Sequence, residues 1–273
     1  MTVANDAITM MGIAAVLCIL IPITAVIWFK KRTDCRILPV FFGALGFFIF
    51  ALMLEPVCHQ FFLNPNTSIG QTVLGTPLLY AVYGGLAAGI FEETGRLIIF
   101  KFTMNAYSDR KYAVVYGIGH GGLEMILLGA LNMGSTLLIA MSLNSIGLEN
   151  YLAQGTAAGI DAEALELTLT SLASTPASLY ALSFLERIAA FILQISLSVF
   201  VFKAVREKKW LFYPLAILLH MMINTIAGLY QMGVLSLLIC ELIVVVYSIV
   251  VAVFAFREYK KMTGAPYTPA TQS

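Results

Sequence analysis

The chain has 273 residues, of which 60% are apolar and 11% are charged, whereas soluble domains have about 45–50% apolar and about 25% charged residues. With a mean hydropathy of +0.89 and a net charge of +1, the composition excludes a soluble enzyme, a disordered protein and a nucleic-acid-binding protein. It is typical of a polytopic α-helical membrane protein, and a chain of this length can hold six to eight spans of about 20 residues each.

Seven apolar stretches are long enough to cross a bilayer. They cover residues 7–29, 37–62, 76–104, 113–143, 179–204, 210–231 and 233–256. The first stretch lacks the basic start and the small-residue cleavage site of a signal peptide, so we interpret it as a span. The fourth is too long for one straight span, and a break at Asn132-Met133-Gly134 would create an eighth, re-entrant element. We therefore predict an all-α transmembrane bundle of about seven to eight spans, forming one integral membrane domain over residues 1–273.

The basic residues fall in alternate connections between the spans, which predicts the orientation of the chain. These connections and the segment after the last span contain Lys30, Lys31, Arg32, Arg36, Arg110, Lys111, Arg206, Lys208, Lys209, Arg257, Lys260 and Lys261. Because cytoplasmic loops are enriched in Lys and Arg, we predict that the N-terminus is outside and the C-terminus inside. The expected location is a bacterial plasma membrane.

The longest connection, residues 144–178, is then outside and contains acidic but no basic residues. Its stretch from Asp161 to Ala173 predicts a short surface helix, supported by Leu165, Leu167 and Leu169.

Polar residues inside the spans are the strongest functional signal, because a charge at mid-bilayer costs about 2.5–3.5 kcal/mol. They include Glu55, Glu92, Glu93, Arg96, Glu124, Glu186, Arg187, Glu241 and the three histidines His59, His120 and His220. Besides Glu55 with His59 on the second span, three further spans carry a polar pair at i,i+4 spacing, which places both members on one helix face. These pairs are Glu92 with Arg96, His120 with Glu124, and His220 with Asn224.

The depths of these residues agree with a shared site. Counted from the predicted cytoplasmic ends at 1.5 Å per residue, Glu92, Arg96, His120 and His220 all lie roughly 12–18 Å deep. Three helices therefore bring polar side chains to one layer, as in helical metal and carboxylate sites. Taken singly, each pair would also be explained by hydrogen bonding or ion pairing between helices.

The other intramembrane charges have structural explanations. Glu55 and His59 lie near the outer end of the second span, which favours an interfacial role. Glu186 and Arg187 are adjacent and share a helix face poorly, so we expect each to have a partner elsewhere, with Glu241 as a candidate for Arg187.

Glycines crowd the fourth span at positions 117, 119, 121 and 122. We expect Gly119, Gly121 and Gly122 to lie where this span meets a neighbour closely, since small residues let membrane helices approach.

The three pairs also resemble a known pattern. Glu92-Glu93-x-x-Arg96, Tyr116-x-x-x-His120 and His220-x-x-x-Asn224 are similar, in order, to the motifs of the CAAX-processing and bacteriocin-processing intramembrane proteases. The added Gly119-His120-Gly121-Gly122-x-Glu124 resembles the YhfC-type branch of that superfamily. The resemblance covers a motif-bearing core of about residues 76–231 and implies an intramembrane endopeptidase acting on a peptide or protein in or near the bilayer. The first motif has two residues between the second Glu and the Arg, where the usual pattern has three.

The residues suit this chemistry, because peptide hydrolysis needs an activated water, a base and a group that stabilises the oxyanion. Glu92 or Glu93 would be the base, and His120 would hold or activate the water. His220 and Asn224 would donate hydrogen bonds to the oxyanion. Arg96, Glu124 and Tyr116 would support these groups.

Two alternatives stay open at the level of the sequence. The resemblance favours a metal-free, glutamate-type mechanism with no cofactor, whereas zinc on His120, His220 and Glu92 would also be a legitimate catalytic set. A non-catalytic scaffold or a proton-coupled transporter would bury similar residues, although a transporter is expected to have internal symmetry, which the sequence lacks.

Overall fold

The computed structural model describes residues 1–262, and this part of the chain is helical with no β-strand. The α-helices are α1 (Asn5–Thr33), α2 (Leu38–Phe47), α3 (Glu55–Phe62), α4 (Ser68–Gly75), α5 (Pro77–Ile98), α6 (Lys111–Glu124), α7 (Leu131–Ile146), α8 (Leu148–Ala157), α9 (Ala162–Ser174), α10 (Ala177–Arg206), α11 (Phe212–Gln231) and α12 (Leu237–Lys261). Three π-helical segments, Phe48–Leu54, Ile99–Thr103 and Met125–Ala130, extend α2, α5 and α6 without a break.

Six helices are long and apolar enough to cross a membrane by length and composition. They are Asn5–Thr33, Leu38–Phe62, Lys111–Ile146, Ala177–Arg206, Phe212–Gln231 and Leu237–Lys261. A seventh span results if α4 and the helix Pro77–Thr103, which meet at 105°, count as one. The all-helical fold is thereby confirmed, with six candidate spans, or seven if the bent pair counts as one, against the seven to eight that the sequence predicts.

The predicted break in the fourth span is wrong. Lys111–Ile146 is one continuous helix, and the Asn132 amide donates to the carbonyl of Leu128 at 2.8 Å instead of ending the helix. A π-helical segment, Met125–Ala130, lies within this helix. Within residues 1–262 no eighth, re-entrant element forms at this point. The chain bends instead before α5, where Thr76 is extended and Pro77 follows it.

The chain divides into two compact units. Unit 1 contains Met1–Ile21 and Met125–Arg187, and unit 2 contains Pro22–Glu124 and, of the described residues, 188–262. The single domain expected from the sequence stays a prediction.

Unit 1 contains the helices of the long connection. Asp161 caps the N-terminus of α9 by accepting a hydrogen bond from the Ala164 amide at 2.8 Å, which confirms the predicted short helix. Leu169 of this helix is buried in the core of the unit, and Leu165 packs against that core. Leu167 is 72% exposed, so its expected supporting role was wrong: it lies on the outer face of α9.

Glycines allow the helices of unit 2 to pack closely. A Cβ on Gly85 of α5 would lie 2.4 Å from the Met221 carbonyl oxygen of α11, and one on Gly228 would lie 2.7 Å from Cα of Ala81. The α5 and α11 backbones are therefore nearly in contact, which brings the acidic residues of α5 beside the histidine of α11.

The fourth-span glycines hold α6 among three neighbours, as predicted. A Cβ on Gly119 would lie 1.9 Å from the carbonyl oxygen of Val40 on α2. One on Gly121 would lie 2.8 Å from Cβ of Gln194 on α10, and one on Gly122 would lie 2.9 Å from Cβ of Pro22 on α1. The polar residues of α6 are consequently enclosed by protein.

The basic helix ends of unit 2 meet one another. Lys111 donates to the carbonyl of Thr33 at 3.2 Å, and Arg110 donates to the carbonyl of Met262 at 3.2 Å. Arg206 binds the carbonyls of Phe100 and Met104, where the α5 helix ends. With the 2.9 Å ion pair between Lys203 of α10 and Glu258 of α12, these contacts place the ends of five helices together, as alternate loops require. The side of the membrane on which they lie stays a prediction.

Candidate active site

Two adjacent carboxylates and one guanidinium on α5 form the base of the site. Arg96 is fully buried, and its Nη1 donates to Oε1 of Glu93, one turn earlier. Its Nη2 lies 3.8 Å from Oε2 of Glu92. The i,i+3 and i,i+4 spacing lets the Arg96 side chain reach both carboxylates. One cation thus balances part of the charge of two buried anions.

The two histidines each bind a different carboxylate of α5. Nε2 of His120 on α6 lies 2.7 Å from Oε2 of Glu92. Nδ1 of His220 on α11 lies 2.7 Å from Oε1 of Glu93, and its Nε2 lies 3.7 Å from Oε1 of Glu92. All four side chains are buried and lie together, whereas their depth in the membrane, the predicted place of Asn224 beside them and their catalytic roles stay predictions.

Gln194 of α10 completes the cluster, and the sequence analysis missed it. Its Oε1 accepts a hydrogen bond from Arg96. Its Nε2 donates to Oε2 of Glu124 at 2.5 Å and to Oε2 of Glu92 at 3.3 Å. The only signal in the sequence was one uncharged amide in an apolar helix, without a charged partner at helical spacing.

Three residues of this cluster form a group suited to a metal ion. One ligand atom from each of Glu92, His120 and Glu124 lies within 4.8 Å of the others. The zinc ligands expected from the sequence were His120, His220 and Glu92, so the structure has Glu124 where the sequence predicted His220. The structure pairs His220 with Glu93 instead, while Gln194 draws the Glu124 carboxylate toward Glu92.

The donor chemistry of this group fits zinc. One imidazole and two carboxylates match known ligand types, and ligand atoms around a tetrahedral zinc lie about 3.4 Å apart. Nδ1 of His120 and Oε2 of Glu93 are also buried without a hydrogen-bond partner in the described chain. Buried polar atoms of this kind are costly unless another group binds them.

Two predicted site residues lie outside this hydrogen-bond network. Asn224 is on α11, one turn after His220, and is half-buried. Tyr116 is fully buried on α6, with its ring 4.5 Å from the ring of Phe100, and its hydroxyl has no partner in the described residues. Tyr116 packs in the core of unit 2, whereas Asn224 remains accessible for another ligand.

The remaining intramembrane charges follow a different pattern from the cluster. Glu186 and Arg187 form a two-point ion pair with each other, since both side chains are long enough to bend together, and the expected partners elsewhere stay a prediction. His59 lies 3.3 Å from Glu55 and 2.8 Å from the Tyr83 hydroxyl. Glu241 is buried in α12, and its pairing with Arg187 stays a prediction.

Comparisons with known proteins agree with this geometry. Residues 17–247 match the model of the YhfC intramembrane metalloprotease family, a range that includes every residue of the cluster. The chain belongs to the YhfC intramembrane metalloprotease family. It is 36% identical over 234 residues to the membrane protein YhfC of Bacillus subtilis (strain 168), covering 86% of this chain and 89% of the relative. No solved structure gives a significant match.

Membership of the YhfC family confirms the resemblance stated from the motifs and makes this chain a multi-pass membrane protein. The family is described as one of intramembrane metalloproteases. Among the two mechanisms left open by the sequence, the family description therefore agrees with the metal-dependent one.

Proposed function

We propose that this YhfC-family protein hydrolyses peptide bonds of membrane-embedded or membrane-proximal substrates in a metal-dependent reaction. The observation that carries the proposal is the convergence of Glu92, His120 and Glu124, with ligand atoms within 4.8 Å of one another, beside a His220–Glu93 pair. All these groups are buried in a chain whose helices are long enough to span a membrane.

Glu92, His120 and Glu124 would hold the metal, for which zinc is the best match of ligand types. When bound, such an ion supplies Lewis-acid chemistry, which increases the acidity of a water molecule and polarises a carbonyl group. Three protein ligands leave a coordination position open for water or substrate, as catalytic sites require.

His220 is suited to carry the proton in this reaction. Its Nδ1 contacts the Glu93 carboxylate at 2.7 Å, which favours the tautomer with a proton on Nδ1. Nε2 then faces the cluster as an acceptor, 3.7 Å from Oε1 of Glu92. We propose that Nε2 takes the proton of the attacking water and returns it to the leaving amine.

The remaining residues would hold these groups or stabilise charge. Arg96 bonds to Glu93 and so holds that carboxylate directed at His220. Asn224 lies one turn after His220, and its side-chain amide would donate a hydrogen bond to the oxyanion that develops on the scissile carbonyl.

One contact favours a metal-free version of the same reaction. Nε2 of His120 lies 2.7 Å from Oε2 of Glu92, so a histidine could orient Glu92 as a general base for water. The two versions differ in whether Glu124 and an added metal are needed.

The test uses the purified full chain in lipid nanodiscs with fluorogenic peptides that each contain one membrane-spanning segment. Cleavage is measured before chelation, after 1,10-phenanthroline, and after zinc is added back. The variants are Glu92→Gln, Glu93→Gln and Glu124→Gln, with Glu149→Gln at an exposed site of α8 as the control.

The metal-dependent proposal predicts that the chelator abolishes cleavage, that zinc restores it, and that Glu92→Gln and Glu124→Gln lose it. If the chelator has no effect while Glu92→Gln or Glu93→Gln lowers the rate by about 10²–10⁴-fold, the metal-free version is correct. Equal cleavage by all four variants and the unmodified chain, or no cleavage of any peptide, would contradict both.

A further inference from the structure

The side chain of Gln194 occupies a fixed position between three helices. It is buried on α10, and its Cβ faces Gly121 of α6, where any side chain at position 121 would collide with it. One turn later, Ser198 donates its hydroxyl to the Gln194 carbonyl at 2.8 Å. That bond is to the backbone carbonyl, so the side-chain amide is left for Arg96, Glu124 and Glu92.

The orientation of the amide is determined by its partners. Arg96 can only donate hydrogen bonds, so it must face Oε1 of Gln194. The two hydrogens of Nε2 then face Glu124 at 2.5 Å and Glu92 at 3.3 Å. A reversed amide would place an oxygen against two carboxylates and an NH₂ group against a guanidinium.

The two carboxylates that Gln194 binds are both members of the metal-suited group, and they come from different helices. Glu92 belongs to α5 and Glu124 to α6, and like charges held in one buried site repel each other. A lysine at position 194 would neutralise these carboxylates and compete with a cation. A glutamine holds them by hydrogen bonds and leaves their charge available.

The amide and His120 both bind the same oxygen of Glu92. Oε2 of Glu92 is shared by His120 and Gln194, so Oε1 is the oxygen that faces His220. We infer that Gln194 is a positioning residue, which fixes the separation and direction of Glu92 and Glu124 so that they bind a metal together with His120. This inference rests on the metal-dependent form of the proposed function.

The test compares zinc binding with stability in the purified full chain. Gln194→Met keeps the shape of the side chain and removes its hydrogen bonds, and Ser196→Ala is the control because Ser196 is buried two residues away and bonds only within its own helix. Zinc affinity is measured by competition with a chromophoric chelator, and the ligand geometry by the visible absorption of Co²⁺. The melting temperature of the metal-free protein reports the structural role.

We expect Gln194→Met to weaken zinc binding by about 10–100-fold and to change the Co²⁺ spectrum, as when groups that orient metal ligands are removed. Ser196→Ala should bind zinc as the unmodified chain does. If Gln194→Met does not fold, Gln194→Asn keeps the amide but is one methylene too short to reach both carboxylates, and it should show the same loss.

Two outcomes would overturn the inference, and they are distinguishable. If the unmodified chain binds zinc and the Gln194 variants bind it equally well, the positioning role is wrong while the metal site stands. The same holds if the variants lower only the melting temperature. If the unmodified chain binds no zinc, the metal-dependent function fails and the inference fails with it.

Discussion

Arg96 has an unusual position for a charged residue, because it is fully buried and contacts two carboxylates and an amide. Removing one partner of a buried ion pair leaves an uncompensated charge and costs about 3–5 kcal/mol. We therefore expect Arg96→Met to lower the free energy of unfolding by about that amount. Unfolding by a denaturing detergent in mixed micelles measures the change.

Lys101→Met is the matched control for Arg96→Met, because Lys101 is exposed at the end of the same helix. It should change the free energy of unfolding by less than about 0.5 kcal/mol. The double variant Arg96→Met with Glu93→Gln should recover part of the loss, since it removes one unpaired charge. A loss below about 1 kcal/mol for Arg96→Met alone would contradict this account.

Substitution of Asn224 tests whether a residue outside the hydrogen-bond network of the site takes part in the reaction. Because it is half-buried one turn after His220, we expect Asn224→Ala to leave zinc binding unchanged and to lower kcat by about 10²–10³-fold, the usual effect of losing one oxyanion donor. Cleavage kinetics with the peptide panel measure kcat and KM separately.

The neighbouring Thr225→Ala is the control for Asn224→Ala. The Thr225 hydroxyl donates to the Met221 carbonyl within α11, so its removal should have little effect on kcat. An Asn224→Ala protein with the kcat of the unmodified chain would exclude the oxyanion role.

At the scale of single residues, spacing within one helix predicted what lies on a shared face. The i,i+4 pairs of α5 and α6 were visible in the sequence, and the structure brings Glu92, His120 and Glu124 together. Gln194 was not predictable, because its partners come from two other helices and no spacing rule applies across them. The metal group contains Glu124 where the sequence predicted His220 for the same reason, because contacts between different helices do not follow a spacing rule.

At the scale of helices, close approach by glycine positions the site, and this gives a sharp test. A Cβ on Gly119 would lie 1.9 Å from a backbone oxygen of α2, which cannot move aside as a flexible side chain does. Gly119→Ala should therefore cost about 1–3 kcal/mol and displace His120, the next residue. Detergent unfolding and zinc affinity report the two effects.

Gly134→Ala provides the control on the same continuous helix. A Cβ on Gly134 would meet nothing within 4 Å, so the substitution should be neutral or stabilise the helix by up to about 1 kcal/mol. Equal effects of the two substitutions would show that helix propensity, and not the approach of α6 to α2, determines the outcome.

Hydropathy identified the helices well because the bilayer requires long apolar segments whose backbone groups are bonded internally. Hydropathy alone could not locate the positions where a helix bends or breaks. The predicted break at Asn132–Gly134 assumed that polar and small residues end a helix, whereas Asn132 bonds to its own helix. The bend occurs before Pro77 instead, where the proline disfavours a helical conformation at Thr76.

At the scale of the whole chain, the remaining question is which side of the membrane the basic ends of unit 2 face. Lys111, Arg110 and Arg206 each bind carbonyls at the end of another span, so these ends lie together. Because Lys and Arg accumulate in cytoplasmic loops, we expect that end to be inside and the N-terminus to be outside. A periplasm-active or surface-active enzyme reporter fused after Gln154 should be active, and one fused after Lys209 should be inactive.

A reporter that fluoresces only in the cytoplasm should give the opposite pattern at the same two positions, which controls for expression. Cysteine labelling with an impermeant maleimide provides a second measurement on the full chain, because a cysteine introduced at exposed Glu149 should react in intact cells. One introduced at exposed Lys209 should react only after lysis. If the cysteine at position 209 is labelled in intact cells and the one at position 149 is not, the chain has the reverse orientation. The depths of the site residues would then have to be counted from the outer ends of the spans.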